Sequence, residues 1–193
     1  PLWSRGLGDV YKRQTQERAR YIIGLGLLDA LQAAVPHLPE ERYREMAERY
    51  RHHYLAQDHA LTLFEGAATL VQRLAARGRS LAVATGKSRV GLNRALQGCA
   101  IGDLFHATRC ADECHSKPHP QMLEELMDEL QVSPARTLMI GDTTHDLQMA
   151  RNAGVAAVAV SYGAHSPQML AEVQSLHCAS SVADLADWLE RNA

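Results

Sequence analysis

Apolar residues recur along the chain at two spacings, and the alternation between them predicts its architecture. Ala67, Leu70, Val71, Leu74 and Ala75 fall three and four positions apart, the spacing of one helical face, and Gly78 follows as a C-terminal cap. Residues 81–84 (LAVA) are apolar without interruption, as a strand covered on both faces requires. The pattern then predicts a helix over 88–97 and a strand over 104–108. A further helix spans 119–130, with Met122, Leu123, Leu126, Met127 and Leu130 turned inward. A strand over 137–140, a helix over 144–153 ending near Gly154, and a strand over 155–160 come next. A short strand at 176–179 and a helix at 182–191 close the chain. Strands that alternate with helices are joined by right-handed crossovers into a parallel sheet. The expected fold is α/β, with a doubly wound, three-layer, Rossmann-like core over 63–193.

The stretch before this core has a different texture. Residues 15–58 carry a helical pattern rich in Arg, Tyr and His, with Tyr43, Met46, Ala47, Tyr50 and Tyr54 on one face. Pro36 and Pro39 separate it from an earlier helical stretch that Gly24-Leu25-Gly26 interrupts. A helical hairpin or small bundle over 15–62 is expected. No period runs through Pro1 to Gln14, and Ser4 to Gln14 resembles one reading frame of a transposon-adapter sequence. That segment is set aside as a fusion scar, and the native N-terminus is expected to be missing.

The charge balance narrows the function. Twenty Lys and Arg against 22 Asp and Glu leave a net charge of −2 over 193 residues. Such a chain has no broad grip on a phosphate backbone, so a nucleic-acid partner is not expected. No apolar run approaches the roughly 20 residues of a membrane span. Cys99, Cys110, Cys114 and Cys178 are irregularly spaced, unlike a disulfide scaffold, and a reduced, cytoplasmic protein is the expectation. Cys110 and Cys114, with His115 and His119, lack the second paired half of a zinc site, and Lys117 sits among them.

Candidate chemistry gathers at the carboxyl ends of three predicted strands, where open α/β sheets place their functional groups. The first end reads Thr85-Gly86-Lys87-Ser88, the second leads to Ser116-Lys117-Pro118-His119-Pro120, and the third reads Gly141-Asp142-Thr143-Thr144-His145-Asp146. Thr85 can hydrogen-bond a phosphate oxygen and Lys117 can neutralise its charge. Asp142 and Asp146 can hold a hard divalent ion, and Mg²⁺ suits a site that joins carboxylates to a substrate phosphate. Gly86 and Lys87 extend the phosphate-binding turn at a helix N-terminus. The two acids equally suit a capped helix N-terminus. His145 either faces substrate or is a solvated helix residue. The His52-His53 pair and the arginines of 42–51 form a solvated face or a basic substrate-selecting one.

This ordered set resembles the motifs of haloacid-dehalogenase-superfamily hydrolases: Thr85 after an apolar strand, Lys117 in a Lys-Pro-x-Pro turn, and Gly-Asp-x-x-x-Asp at 141–146. The resemblance runs from about Tyr21 to the C-terminus and is most similar to the phosphoglycolate-phosphatase-like branch. It implies a helical cap inserted after the first core strand, and Mg²⁺-dependent hydrolysis of a small phosphorylated metabolite through an aspartyl-phosphate intermediate. It further implies that Thr85 and Lys117 contact the transferring phosphoryl group, with Asp142 on the metal and Asp146 supporting it directly or through water. The family's Asp-x-Asp, carried on the central strand, is absent from all 193 residues. The chain as written is therefore expected to be inactive and poorly stable, its parent protein a phosphatase. Alternatives are a phosphosugar mutase of the same superfamily and a phosphate-binding relic without catalysis. The tyrosine-rich helical face would support a homodimer. Gly24 to Leu27 resembles a cap segment of the same branch that approaches substrate.

Overall fold

In the computed structural model, which describes residues 20–55 and 62–192, the apolar run near residue 158 organises the α/β part. The helices are α1 (Leu27–Ala34), α2 (Glu40–Leu55), α3 (Ala67–Ala76), α4 (Arg89–Gln97), α5 (Gln121–Leu130), α6 (Thr144–Asn152), α7 (Pro167–Leu170) and α8 (Val182–Asn192). The strands are β1 (Ala82–Thr85), β2 (Ala107–Cys110), β3 (Leu138–Gly141), β4 (Ala156–Val160) and β5 (Cys178–Ala179). Every strand pairing is parallel, β1 with β2 and β3-β4-β5 in that order.

Successive side chains of a strand point to opposite faces, and β4 shows what each face meets. Ala157 and Ala159 join Met122, Leu123 and Met127 of α5 and Leu147, Met149 and Ala150 of α6. Val158 and Val160 join Leu185 and Leu189 of α8, with Leu70 and Leu74 of α3 packed alongside. Helices thus cover both faces of a parallel sheet, the expected three-layer α/β arrangement. Ala84 of β1 and Met139 of β3 pack against the same cluster of α5 and α6, so both strands lie over one helical layer. Among the described residues β1 pairs only with β2 and β3 only with β4.

Element boundaries shift in informative ways. The strand expected at 104–108 begins at Ala107, because Gly102–Leu104 is a single 3₁₀ turn. Pairing starts where the His106 N–H donates to the Leu81 carbonyl at 2.8 Å. The last strand shrinks to Cys178–Ala179, the two residues in register with Ala159 and Val160. The short helix α7 was not anticipated, although Ser166 followed by Pro167 is a helix start: the Ser166 Oγ accepts the Met169 N–H at 3.3 Å.

Contacts divide the chain into a unit containing Leu27–Thr62 and a second containing Gly24–Gly26 with Leu63–Ala193. The core of the first is Leu31, Leu38, Tyr43 and Ala47, with Met46 and Val35 against it, and the Tyr43 hydroxyl donates to the Val35 carbonyl at 2.6 Å. Tyr50, expected on the same face, is exposed. Residues 1–14, read above as an adapter-like segment, and the Tyr54 and His53 side chains lie outside the described residues. No described helix is long and apolar enough to cross a membrane.

Candidate active site

The three polar strand ends are built by ordinary helix-start chemistry. After β1, the Thr85 Oγ1 accepts the Lys87 N–H at 3.1 Å, which leaves the threonine's own proton to donate elsewhere. Ser88 caps α4, accepting from Gly91 N. After β3, Thr143 and Asp146 form a reciprocal capping box: the Thr143 Oγ1 accepts the Asp146 N–H, and the Asp146 Oδ2 accepts the Thr143 N–H at 3.1 Å. The Thr143 hydroxyl adds a second bond to Oδ2 at 2.7 Å.

Lys117 closes the arrangement. It is 7% exposed, and its Nζ donates to the Asp146 Oδ1 at 2.6 Å. Both oxygens of Asp146 are thus engaged by the protein. This carboxylate orients Lys117 and starts α6, so the cap reading of the sequence and the site reading converge on one side chain. The ammonium has two further N–H groups to offer a ligand. Asn152 holds the same loop, its Nδ2 donating to the Pro118 carbonyl at 2.8 Å.

Asp142 is treated differently. Its Oδ2 accepts the Ala164 N–H at 2.8 Å, and its Oδ1 accepts no hydrogen bond among the described residues. A side chain at position 163 would overlap this carboxylate, so Gly163 is required by close approach. Burial, and then the negative charge of Asp142, push the neighbouring Tyr162 phenol above its ordinary range. The turn after β4 therefore belongs to the site, which motif reading missed. The available signal was position, since this turn follows the strand paired with β3.

The Gly24-Leu25-Gly26 segment links all three loops. A side chain on Gly86 would stand 2.6 Å from the Leu25 carbonyl oxygen and 2.8 Å from that of Gly24. Gly24, at φ +97°, faces Thr143, and the Gly26 N–H donates to the Ser116 Oγ at 2.8 Å. Thr85–Lys87, Ser116–Lys117 and Asp142–Asp146 therefore converge around one short piece of chain.

Other singled-out residues have different surroundings. His145 is 2% exposed and packs edge-on against His165 with ring centroids 5.5 Å apart, so it is not the solvated helix residue weighed above. Lys87 is half-buried. Cys110 is fully buried, and burial pushes its thiol up to about 11. The Cys114 Sγ lies 3.7 Å from a Glu125 oxygen, and the His115 and His119 rings pack with centroids 4.5 Å apart.

Comparison with known proteins identifies the family. The family model for haloacid dehalogenase-like hydrolases matches residues 7–160, reaching into the segment set aside from the sequence. A protein named Probable phosphatase IndB from Dickeya dadantii is 37% identical over 128 residues, covering 66% of this chain and 55% of its own length. Pyrophosphatase PpaX of Anoxybacillus flavithermus is 31% identical over 93% of this chain and 83% of its own. Phosphoglycolate phosphatase of Rhodospirillum rubrum is 34% identical over 73% of this chain and 59% of its own. The matched part thus spans between 55% and 83% of these relatives. Among solved structures, a hydrolase from Pseudomonas syringae superposes with a TM-score of 0.88 at 19% identity, over 100% of this chain and 89% of that one. β-Phosphoglucomutase from Clostridium difficile does so with a TM-score of 0.82 at 18% identity, over 98% and 86%. At those identities the likeness is one of fold.

Proposed function

The chain belongs to the haloacid dehalogenase-like hydrolases, and we propose that its α/β unit is the phosphoryl-binding part of a Mg²⁺-dependent phosphatase acting on a small phosphorylated metabolite. The observation that carries this reading is the convergence of a threonine hydroxyl, a buried ammonium and a half-free carboxylate around Gly24–Gly26. Names of three relatives, two phosphatases and a pyrophosphatase, support the same class of substrate.

The residues present fit Mg²⁺ at one carboxylate. Asp142 offers an oxygen left unbonded among the described residues, and Mg²⁺ commonly takes one or two carboxylates together with water and phosphate oxygens. Asp146 is already bonded by Lys117 at Oδ1 and by Thr143 at Oδ2, so it is placed to act behind Asp142 rather than as the first ligand. It supports the site through Lys117. When bound, the metal ion neutralises phosphate charge and orients the phosphoryl group. Lys117 supplies a second positive charge in a buried setting, and the Thr85 hydroxyl donates to a phosphate oxygen. No Asp-x-Asp occurs in the sequence to supply a nucleophile and an acid–base pair, so this chain binds without turning over.

Calorimetric titration with inorganic phosphate, with and without Mg²⁺, tests the reading. Binding is expected only with Mg²⁺ and is lost in Lys117→Met and weakened in Thr85→Val. A phosphate isotherm indifferent to both substitutions overturns it. Mg²⁺-dependent release of p-nitrophenol from p-nitrophenyl phosphate, abolished by Lys117→Met, would keep the site and refute the inactivity.

A further inference from the structure

The turn after β4 grips the turn after β3 at three points, two on Asp142 and one on Thr144. The Ala164 N–H holds the Asp142 Oδ2 at 2.8 Å, and the His165 N–H donates to the Asp142 main-chain carbonyl at 3.1 Å. The third point is the His165 ring. Its Nδ1 accepts the Thr144 N–H at 3.0 Å and lies 3.3 Å from the Thr144 hydroxyl. Thr144 opens α6, and the early N–H groups of a helix have no partner within it. The capping box serves Asp146 N, and an imidazole from another loop serves Thr144 N.

His165 is 1% exposed, and an acceptor buried that deeply is held in one orientation by what it accepts. Accepting the Thr144 N–H means that Nδ1 carries no proton. The His145 ring stands beside it in an edge-type contact, with centroids 5.5 Å apart and planes at 71°. The residue thus bonds the chain at Asp142 and two positions beyond it, through its main chain to residue 142 and through its ring to residue 144. Its immediate predecessor, Ala164, supplies the N–H that fixes one carboxylate oxygen, the other accepting no bond among the described residues.

The geometry assigns His165 as a positioning residue for Asp142: its Nδ1–Thr144 bond fixes the 163–165 turn so that the Ala164 N–H holds Oδ2, while Oδ1 stays unbonded among the described residues. This inference rests on the proposed divalent-ion role of Asp142, and it extends that role to a residue that touches neither metal nor phosphate. Losing the ring acceptor leaves the Thr144 N–H buried and unpaired. The 163–165 turn then relaxes, and Ala164 no longer holds Oδ2 in place.

The test uses the full chain and four substitutions. His165→Asn places an amide oxygen near the Nδ1 position, His165→Gln places it one bond further out, and His165→Leu removes it. Asp142→Asn is the reference for the site itself. Mn²⁺ binding, read from the electron paramagnetic resonance signal of the free ion, is expected to fall by about 10-fold or more in His165→Leu and His165→Gln, the usual cost of losing an outer partner. It is expected to recover in His165→Asn. Amide exchange at Ala164 should accelerate in the same two variants and stay protected in His165→Asn. If His165→Leu does not fold, the contrast between Asn and Gln decides. Equal Mn²⁺ affinity and equal Ala164 protection in Asn and Gln variants would overturn the assignment. Wild-type Mn²⁺ binding unchanged by Asp142→Asn overturns the metal reading alone, and the Ala164 exchange pattern then still upholds or overturns the positioning by His165.

Discussion

Strands β1 and β4 are made of nearly the same residues, AVAT and AAVAV, and meet opposite fates. Four of the five residues of β4 are buried, whereas β1 has one exposed residue and three half-buried ones. The difference lies in the neighbours. β4 is paired on both edges, by β3 and β5, while β1 is paired only by β2 among the described residues. β3, paired among the described residues only with β4, leaves Ile140 37% exposed. Helices cover the faces of a sheet, but only another strand covers an edge and satisfies its N–H and C=O groups. An apolar run makes a strand eligible for burial, and its ladder partners determine how much burial it receives.

The same contrast holds at the strand ends, and the largest expected effect lies there. Asp146→Ala, beyond β3, strands the Lys117 ammonium in a buried place and removes a capping box, so urea denaturation should show a loss of about 3–5 kcal/mol. Thr85→Ala, beyond β1, should cost about 1 kcal/mol, the worth of one ordinary hydrogen bond. Equal losses would mean that the β1 end is as tightly built as the β3 end. Next in size are core truncations. Leu147→Ala, in the cluster beside β4, should cost about 2–5 kcal/mol. Val83→Ala in half-buried β1 should cost about 1 kcal/mol or less, since each buried methylene contributes about 0.8.

Much of this was legible beforehand. The three strand-end motifs and the order of elements depend on local period and turn residues, which a sequence displays directly. Two things were not legible, for a shared physical reason. Asp146 reads as a metal carboxylate in its motif, and only the fold brings it to Lys117, 29 positions away, which with Thr143 bonds its two oxygens. Gly163 to His165 carry no motif at all, and their role comes from β4 lying beside β3. The misplaced start of β2 has a similar origin: Leu104 is apolar enough for a strand, and pairing with β1 rather than composition sets where the strand begins.

Two smaller measurements sharpen the contrast between the half-sheets. Amides of residues 82–85 should exchange about 10-fold or more faster than those of 157–160, because sheet segments with few buried contacts open below the global free energy. Matching protection would show both halves opening together. The smallest effect concerns Tyr162. Its phenol ionises above the ordinary range through burial first and the Asp142 charge second. Asp142→Asn should therefore bring the ionisation only part of the way down, followed by NMR of ¹³C-labelled tyrosine through alkaline pH. Full return to the ordinary range would show that the charge, and not burial, dominates there.

Because β4 acts as a partition, its two faces carry different natural reporters. Trp188 packs on the side of Val158 and Val160, while Met122, Met127, Met139 and Met149 gather on the side of Ala157 and Ala159. With Trp3 replaced by Phe, Trp188 fluorescence and the methyl resonances of these four methionines thus watch separate layers of one molecule. Their melting curves, recorded on a single sample, would reveal whether the two helical layers leave the sheet together or in sequence.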